Sequence, residues 1–135
     1  MTNNAAKTPI ADSILIVDGD VLSRHAISDY LRRCGYDVVE ASGTSEAKIA
    51  LKEPTLSLDI IVCDVAANNA EPGPELISWV KKHRPDLEVR LAGTPESIAG
   101  TAADLCEKGP HLARPYEPEA VVNYINRLRT AAAKR

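Results

Sequence analysis

The chain has no basic surplus, no long apolar run, no paired-cysteine spacing and no repeated or low-complexity segment. Lys and Arg number 16 against 19 Asp and Glu, for a net charge of -3 over 135 residues. A nucleic-acid binder would usually show a basic excess on one face, so none is expected as a partner. No apolar stretch approaches the roughly 18 residues that a membrane span requires. The first dozen residues are polar and carry no apolar core segment, which excludes a signal peptide. They are expected to be a disordered tail (1–12), ahead of one domain (13–129) and a short alanine-and-basic tail (130–135). The three cysteines, Cys34, Cys63 and Cys106, are odd in number and lack metal-ligand or redox spacing. The expectation is three reduced, buried thiols in a cytoplasmic protein.

What is present is ordinary globular composition, 44% hydrophobic and 26% charged, in enough chain to bury one core. Short apolar runs alternate with segments of helical spacing. Ser13-Ile-Leu-Ile-Val-Asp18 and Asp59-Ile-Ile-Val-Cys-Asp64 are continuous apolar runs ending in an acid, the pattern of strands buried on both faces. Tyr36–Glu40, Leu87–Ala92 and the short His111–Arg114 supply three more strands. Asp20 suits the cap of the first helix, and Gly35 its stop. Thr44 suits the cap of the second, Pro74 the first turn of the third, and Pro95–Lys108 forms the fourth. The fifth runs from about Glu117 to Leu128. Strict strand–helix alternation with short loops predicts an α/β fold, a flavodoxin-like doubly wound parallel sheet of five strands in the order 2-1-3-4-5 with five helices.

In open sheets of this kind, ligands bind outside the carboxyl ends of the strands, at the switch point between strands one and three. Those strands end in Asp18 and Asp64. Two carboxylates held together repel, and relieve the repulsion by sharing a proton or recruiting a divalent cation. Hard oxygen donors on a rigid sheet edge suit Mg2+. Arg114, at the end of the fifth strand, adds a permanent positive charge near the same edge. Acid pair, cation site and basic group together suit an aspartyl phosphate.

The segments ILIVDGD (14–20), DIIVCD (59–64), GPEL (73–76) and RPYEPEAV (114–121), in this order and spacing, resemble the receiver domains of two-component response regulators over about residues 13 to 129. The resemblance implies that Asp64 accepts a phosphoryl group. It implies Mg2+ held by Asp18, Asp64 and the backbone carbonyl of Ala66. Arg114 then stands where the family has lysine, and His111 stands at the aromatic switch position. The switch hydroxyl falls on Gly93 in an ungapped match, or on Thr94 after a shift of one residue. The implied partners are a histidine kinase or phosphotransfer protein upstream, and a downstream protein on the face of helix four, strand five and helix five. Output is expected through that partner protein, unless the chain is a fragment of a longer one. Enzymatic turnover beyond self-phosphorylation and dephosphorylation at Asp64 is not expected.

The chain also departs from the family pattern. Gly19 replaces the second of two adjacent acids, and Asp20, one place later, reads as a helix cap rather than a ligand. The loop after Asp64 lacks a Met-Pro step and is one residue longer. These departures leave open a phosphorylation-independent interaction module of the same fold. A more distant alternative is a small phosphatase using Asp18-Gly19-Asp20 as a D-x-D pair. A flavodoxin lacks support, because no Ser/Thr/Gly phosphate loop follows the first strand. Elsewhere, His25 and His83 read as solvated helix residues and Trp79 as packing at the core edge. Helix four reads as weak, being rich in small residues around Gly100. Arg90, inside the fourth strand where an apolar residue is expected, has no evident role in the sequence.

Overall fold

The structure, a computed structural model, describes residues 13–64, 74–108 and 117–133. In chain order the elements are β1 (Ser13–Val17), α1 (Val21–Arg33), β2 (Asp37–Ala41), α2 (Thr44–Lys52), β3 (Ile60–Asp64), α3 (Pro74–His83), β4 (Glu88–Ala92), α4 (Pro95–Lys108) and α5 (Pro118–Ala133). The four strands described form one parallel sheet in the order β2-β1-β3-β4. The predicted order is therefore observed as far as β4, and the expected fifth strand (111–114) lies outside the described residues. The register runs Val17↔Ala41, Val17↔Cys63 and Asp64↔Ala92 at the carboxyl edge. None of the described helices is long and apolar enough to cross a membrane.

Alternation along each strand divides the core in two. Ile14, Ile16, Ile60 and Val62 face a layer of α1, α4 and α5, with Ile27, Tyr30, Leu31, Ile98, Leu105, Val121 and Ile125 buried between. Leu15, Val17, Ile61 and Cys63 face α2 and α3, through Ala47, Leu51, Leu76 and Val80. Both faces of β1 and β3 are thus covered, which is why their sequences are unbroken apolar runs.

Several local expectations are met. Asp20 caps α1, its Oδ1 accepting the Leu22 N–H at 3.1 Å. Gly35 follows α1 with φ 102°, a left-handed conformation that glycine adopts without steric cost. Trp79 packs at the edge of the α2–α3 core, stacked on His83, with the Lys48 and Lys52 ammonium groups each 5.8 Å from its ring centre. Arg90 bonds to Glu88 in its own strand and to Asp104 of α4 at 3.1 Å, so it ties the fourth strand to the helix that follows it.

Two findings correct the sequence reading. The cap of α2 is Gly43, and Thr44 is already helical and buried. The first turn of α2 is held instead by Glu46, which accepts the Ser42 N–H and hydroxyl at 2.6 and 2.8 Å. Cys34 and Cys106 are not separate thiols but a disulfide pair, with Cα atoms 5.5 Å apart across 72 residues. Their spacing in sequence carries no signal of this, because tertiary packing alone brings the ends of α1 and α4 together. The fourth helix has its expected bounds, Pro95–Lys108. Its alanines, Ala99, Ala102 and Ala103, are buried, so the small side chains allow close approach to α1 and α5.

Candidate functional site

Asp18 follows the last residue of β1, and its N–H donates to the Ala41 carbonyl of β2 at 3.0 Å. Val17 pairs with Cys63, so the parallel register sets Asp18 beside Asp64, the last residue of β3. Neighbouring strands lie about 4.8 Å apart, which makes these two positions immediate neighbours at the sheet's carboxyl edge. The order β2-β1-β3 makes this the switch point, where the chain's connections diverge to opposite faces. Sequence reading had selected this pair, and the fold brings its backbone positions together.

The Asp18 side chain is 1% exposed, and its Oδ1 accepts the Asp20 N–H at 2.8 Å. That bond turns the chain sharply into α1. Asp20 is committed to the cap. Besides the Leu22 N–H, its Oδ2 accepts the Ser23 hydroxyl at 3.0 Å. Among the described residues no group of three or more His, Cys, Asp or Glu is gathered as metal ligands. The Asp20 carboxylate bonds to the first turn of α1 through both of its oxygens.

Arg24 was not selected by sequence reading. Its Nη1 donates to the Asp18 carbonyl at 2.9 Å, and its Nε to Glu40 at 3.2 Å. One guanidinium thus ties the first turn of α1 to the ends of both β1 and β2. Glu40 also meets His25 at 3.2 Å and Arg32 at 3.1 Å, which gathers two arginines and a histidine of α1 around one strand-end acid. Nothing in the spacing of these residues signals the cluster, because it joins a helix to a strand through the fold.

Thr94 follows β4 two residues beyond Ala92, the register partner of Asp64. Its Oγ1 accepts the Ser97 N–H at 3.0 Å, and the Gly93 N–H donates to the Ser97 hydroxyl at 3.1 Å, a reciprocal cap on α4. Ala66, His111 and Arg114 lie outside the described residues.

No family model matches the chain. It is similar to the transcriptional regulatory protein GltR of Pseudomonas aeruginosa, 29% identical over 124 residues that cover 86% of this chain and 48% of that one. It is also similar to the DNA-binding transcriptional regulator NtrC of Azospirillum brasilense, 28% identical over 119 residues, 87% of this chain and 24% of that one. The chain thus spans about half the length of one curated relative and a quarter of the other. Among solved structures, a response regulator receiver domain protein from Clostridium thermocellum superposes with a TM-score of 0.56 at 22% identity, covering 89% of this chain and 98% of that one. The chain thus shares its fold with response regulator receiver domains, and most of its length is similar in sequence to part of these two regulators.

Proposed function

We propose that this receiver accepts a phosphoryl group on Asp64 from a histidine kinase or phosphotransfer protein, and passes the signal to a partner protein in the cytoplasm. The observation that carries the reading is the parallel register that sets the buried Asp18 beside Asp64 at the switch point. An Asp64 carboxylate oxygen attacks phosphorus, a new P–O bond forms, and the bond from phosphorus to the donor nitrogen breaks, with the imidazole leaving. Asp18 and Asp64, hard oxygen donors on a rigid edge, would hold Mg2+ together with the Ala66 carbonyl. When bound, the cation neutralises charge on the phosphoryl oxygens. Asp18 is oriented for this by the Asp20 N–H, and Arg24 keeps the turn that carries it in place. In this reading Arg114 pairs with the phosphoryl group. Thr94 supplies the switch hydroxyl, giving up its cap on Ser97, and His111 answers at the aromatic switch position. Output leaves through the region of α4, the segment 111–114 and α5. The acidic net charge supports a protein rather than a nucleic acid as the partner.

One observation favours the phosphorylation-independent module instead. Gly19 contributes no carboxylate, and Asp20 is spent on the cap, which leaves fewer ligands for the cation. Both readings face the same experiment, incubation with a small-molecule phosphodonor and Mg2+ followed by intact mass. One phosphoryl adduct on wild type, absent in Asp64→Asn and without Mg2+, is the expected result. No adduct on either protein, with a partner still bound, would leave the module reading in its place.

A further inference from the structure

The strongest unassigned feature is the junction between the carboxyl ends of α1 and α4. Cys34, the C-terminal cap of α1, is bonded to Cys106 in the last turn of α4. Beside it the Tyr36 hydroxyl donates to the Leu105 carbonyl at 2.6 Å, a buried bond that spans 69 residues. Both sulfurs are buried within the α1–α4–α5 core, at 1% and 0% exposure. Cys63 lies in the other core, on the far face of the sheet, and burial pushes its thiol up to about 12.

The rest of the α4 interface is built largely from small side chains. Its buried residues are mainly Ala99, Ala102 and Ala103, with Ile98 and Leu105 the large ones. Gly100 looks onto open space, where an added methyl group would meet nothing within 4 Å. Buried alanines remove little apolar surface from water, so they hold a helix weakly. Handedness does not hold α4 in place either. Right-handed crossovers put α1 on one face and α2 and α3 on the other, and continuing from β4 in the same sense would use the α2–α3 face. Instead, α4 packs on the α1 face. The covalent link acts beside the Tyr36–Leu105 and Arg90–Asp104 bonds to restrain the carboxyl half of this helix.

We infer that the Cys34–Cys106 disulfide is a reversible redox latch that pins α4 against α1 when oxidised and frees it when reduced. In the cytoplasm, the location given under the proposed function, disulfides are usually transient and redox-sensing, which suits such a role. Formation is an exchange with a low-molecular-weight disulfide. One cysteine thiolate attacks it and expels one thiol, and the second cysteine resolves the mixed disulfide and expels the other. The two cysteines lose two protons and two electrons in all, and the reagent is reduced to two thiols. Because both sulfurs are buried, exchange proceeds through local opening of the end of α4. That latching would also gate signalling rests on the receiver reading, whereas the latch itself is tested without phosphorylation.

The test uses the whole chain, equilibrated with oxidised or with reduced glutathione. After unfolding, alkylation counts the free thiols, and hydrogen exchange of the native protein is read over 98–108. The expected result is one alkylated cysteine, Cys63, in the oxidised sample and three in the reduced one. Exchange in α4 should be at least about tenfold slower when oxidised, with β1 and β3 unchanged. Cys63→Ala should keep this response and Cys106→Ala should abolish it. Three free thiols after oxidised glutathione, or equal α4 exchange in both wild-type samples, would overturn the proposal even if the cysteine variants fail to fold.

Discussion

Asp20 offers the sharpest test of how the site is built, because a cap and a metal ligand respond differently to the same substitutions. In Asp20→Ala the Leu22 N–H and the Ser23 hydroxyl both lose an acceptor that lies 3.1 and 3.0 Å away. Loss of an N-cap costs typically about 1 kcal/mol, and the second bond brings the total to about 1–2 kcal/mol. Unfolding entropy near 2.1 cal/mol/K per residue, over 135 residues, converts this to a fall in Tm of about 4–7 °C. Asp20→Asn keeps a capping oxygen, and its Tm should move by less than about 2 °C. Mg2+ affinity, measured by calorimetric titration, should fall less than about threefold in Asp20→Asn, since the ligands assigned are Asp18 and Asp64. An Asp20→Asn protein with an unchanged Tm and a tenfold or larger loss of Mg2+ affinity would refute the reasoning and restore Asp20 to the metal site. The same variant addresses the D-x-D phosphatase alternative, which requires turnover of a phosphomonoester that Asp20→Asn abolishes.

Three further outcomes are expected. Cys63 should resist alkylation in the native protein, and its raised pKa sets a pH dependence. The unfolded thiol ionises near 9.0 and the folded one near 12, so the folded state holds the extra proton and loses relative stability as pH rises through that window. Compared with Cys63→Ala, wild type should lose about 1 kcal/mol between pH 9 and pH 10 in urea titrations, and an equal slope in both proteins would contradict the assignment. Arg24→Met removes the guanidinium that ties the Asp18 carbonyl to Glu40, and should slow phosphorylation by a small-molecule donor at least about threefold with a Tm loss of only a few degrees. An unchanged rate would reduce Arg24 to a surface ion pair. Leu15→Ala, in the middle of the sheet at 0% exposure, should cost about 2–5 kcal/mol by urea denaturation, and a smaller loss would mean that the core around β1 closes over the cavity.

Much of this architecture was legible in the residues taken one segment at a time. Unbroken apolar runs declared β1 and β3 as strands covered on both faces, and their terminal acids marked the edge where chemistry belongs. Asp20 and Gly35 declared the limits of α1, because capping and positive φ are local properties of a few consecutive residues. The cap of α2 was misread by one position, since Thr44 and Gly43 both satisfy the local rule and Glu46 decides between them by reaching back to Ser42. Arg90 had no meaning until Asp104 of α4 came within 3.1 Å of it.

The sequence by itself determined the order of elements, the class of sheet and the pair of acids at its switch point. Each of these follows from hydrophobic period, turn chemistry and chain connectivity, which act over a few residues or through simple rules of crossover. Tertiary structure alone decided the neighbours of those residues. It joined Cys34 to Cys106, drew Arg24 and Glu40 around the Asp18 turn, and laid α4 on the face of α1. Those are contacts between segments far apart in the chain, and they depend on how whole helices seat on the sheet, a property that no window of consecutive residues contains.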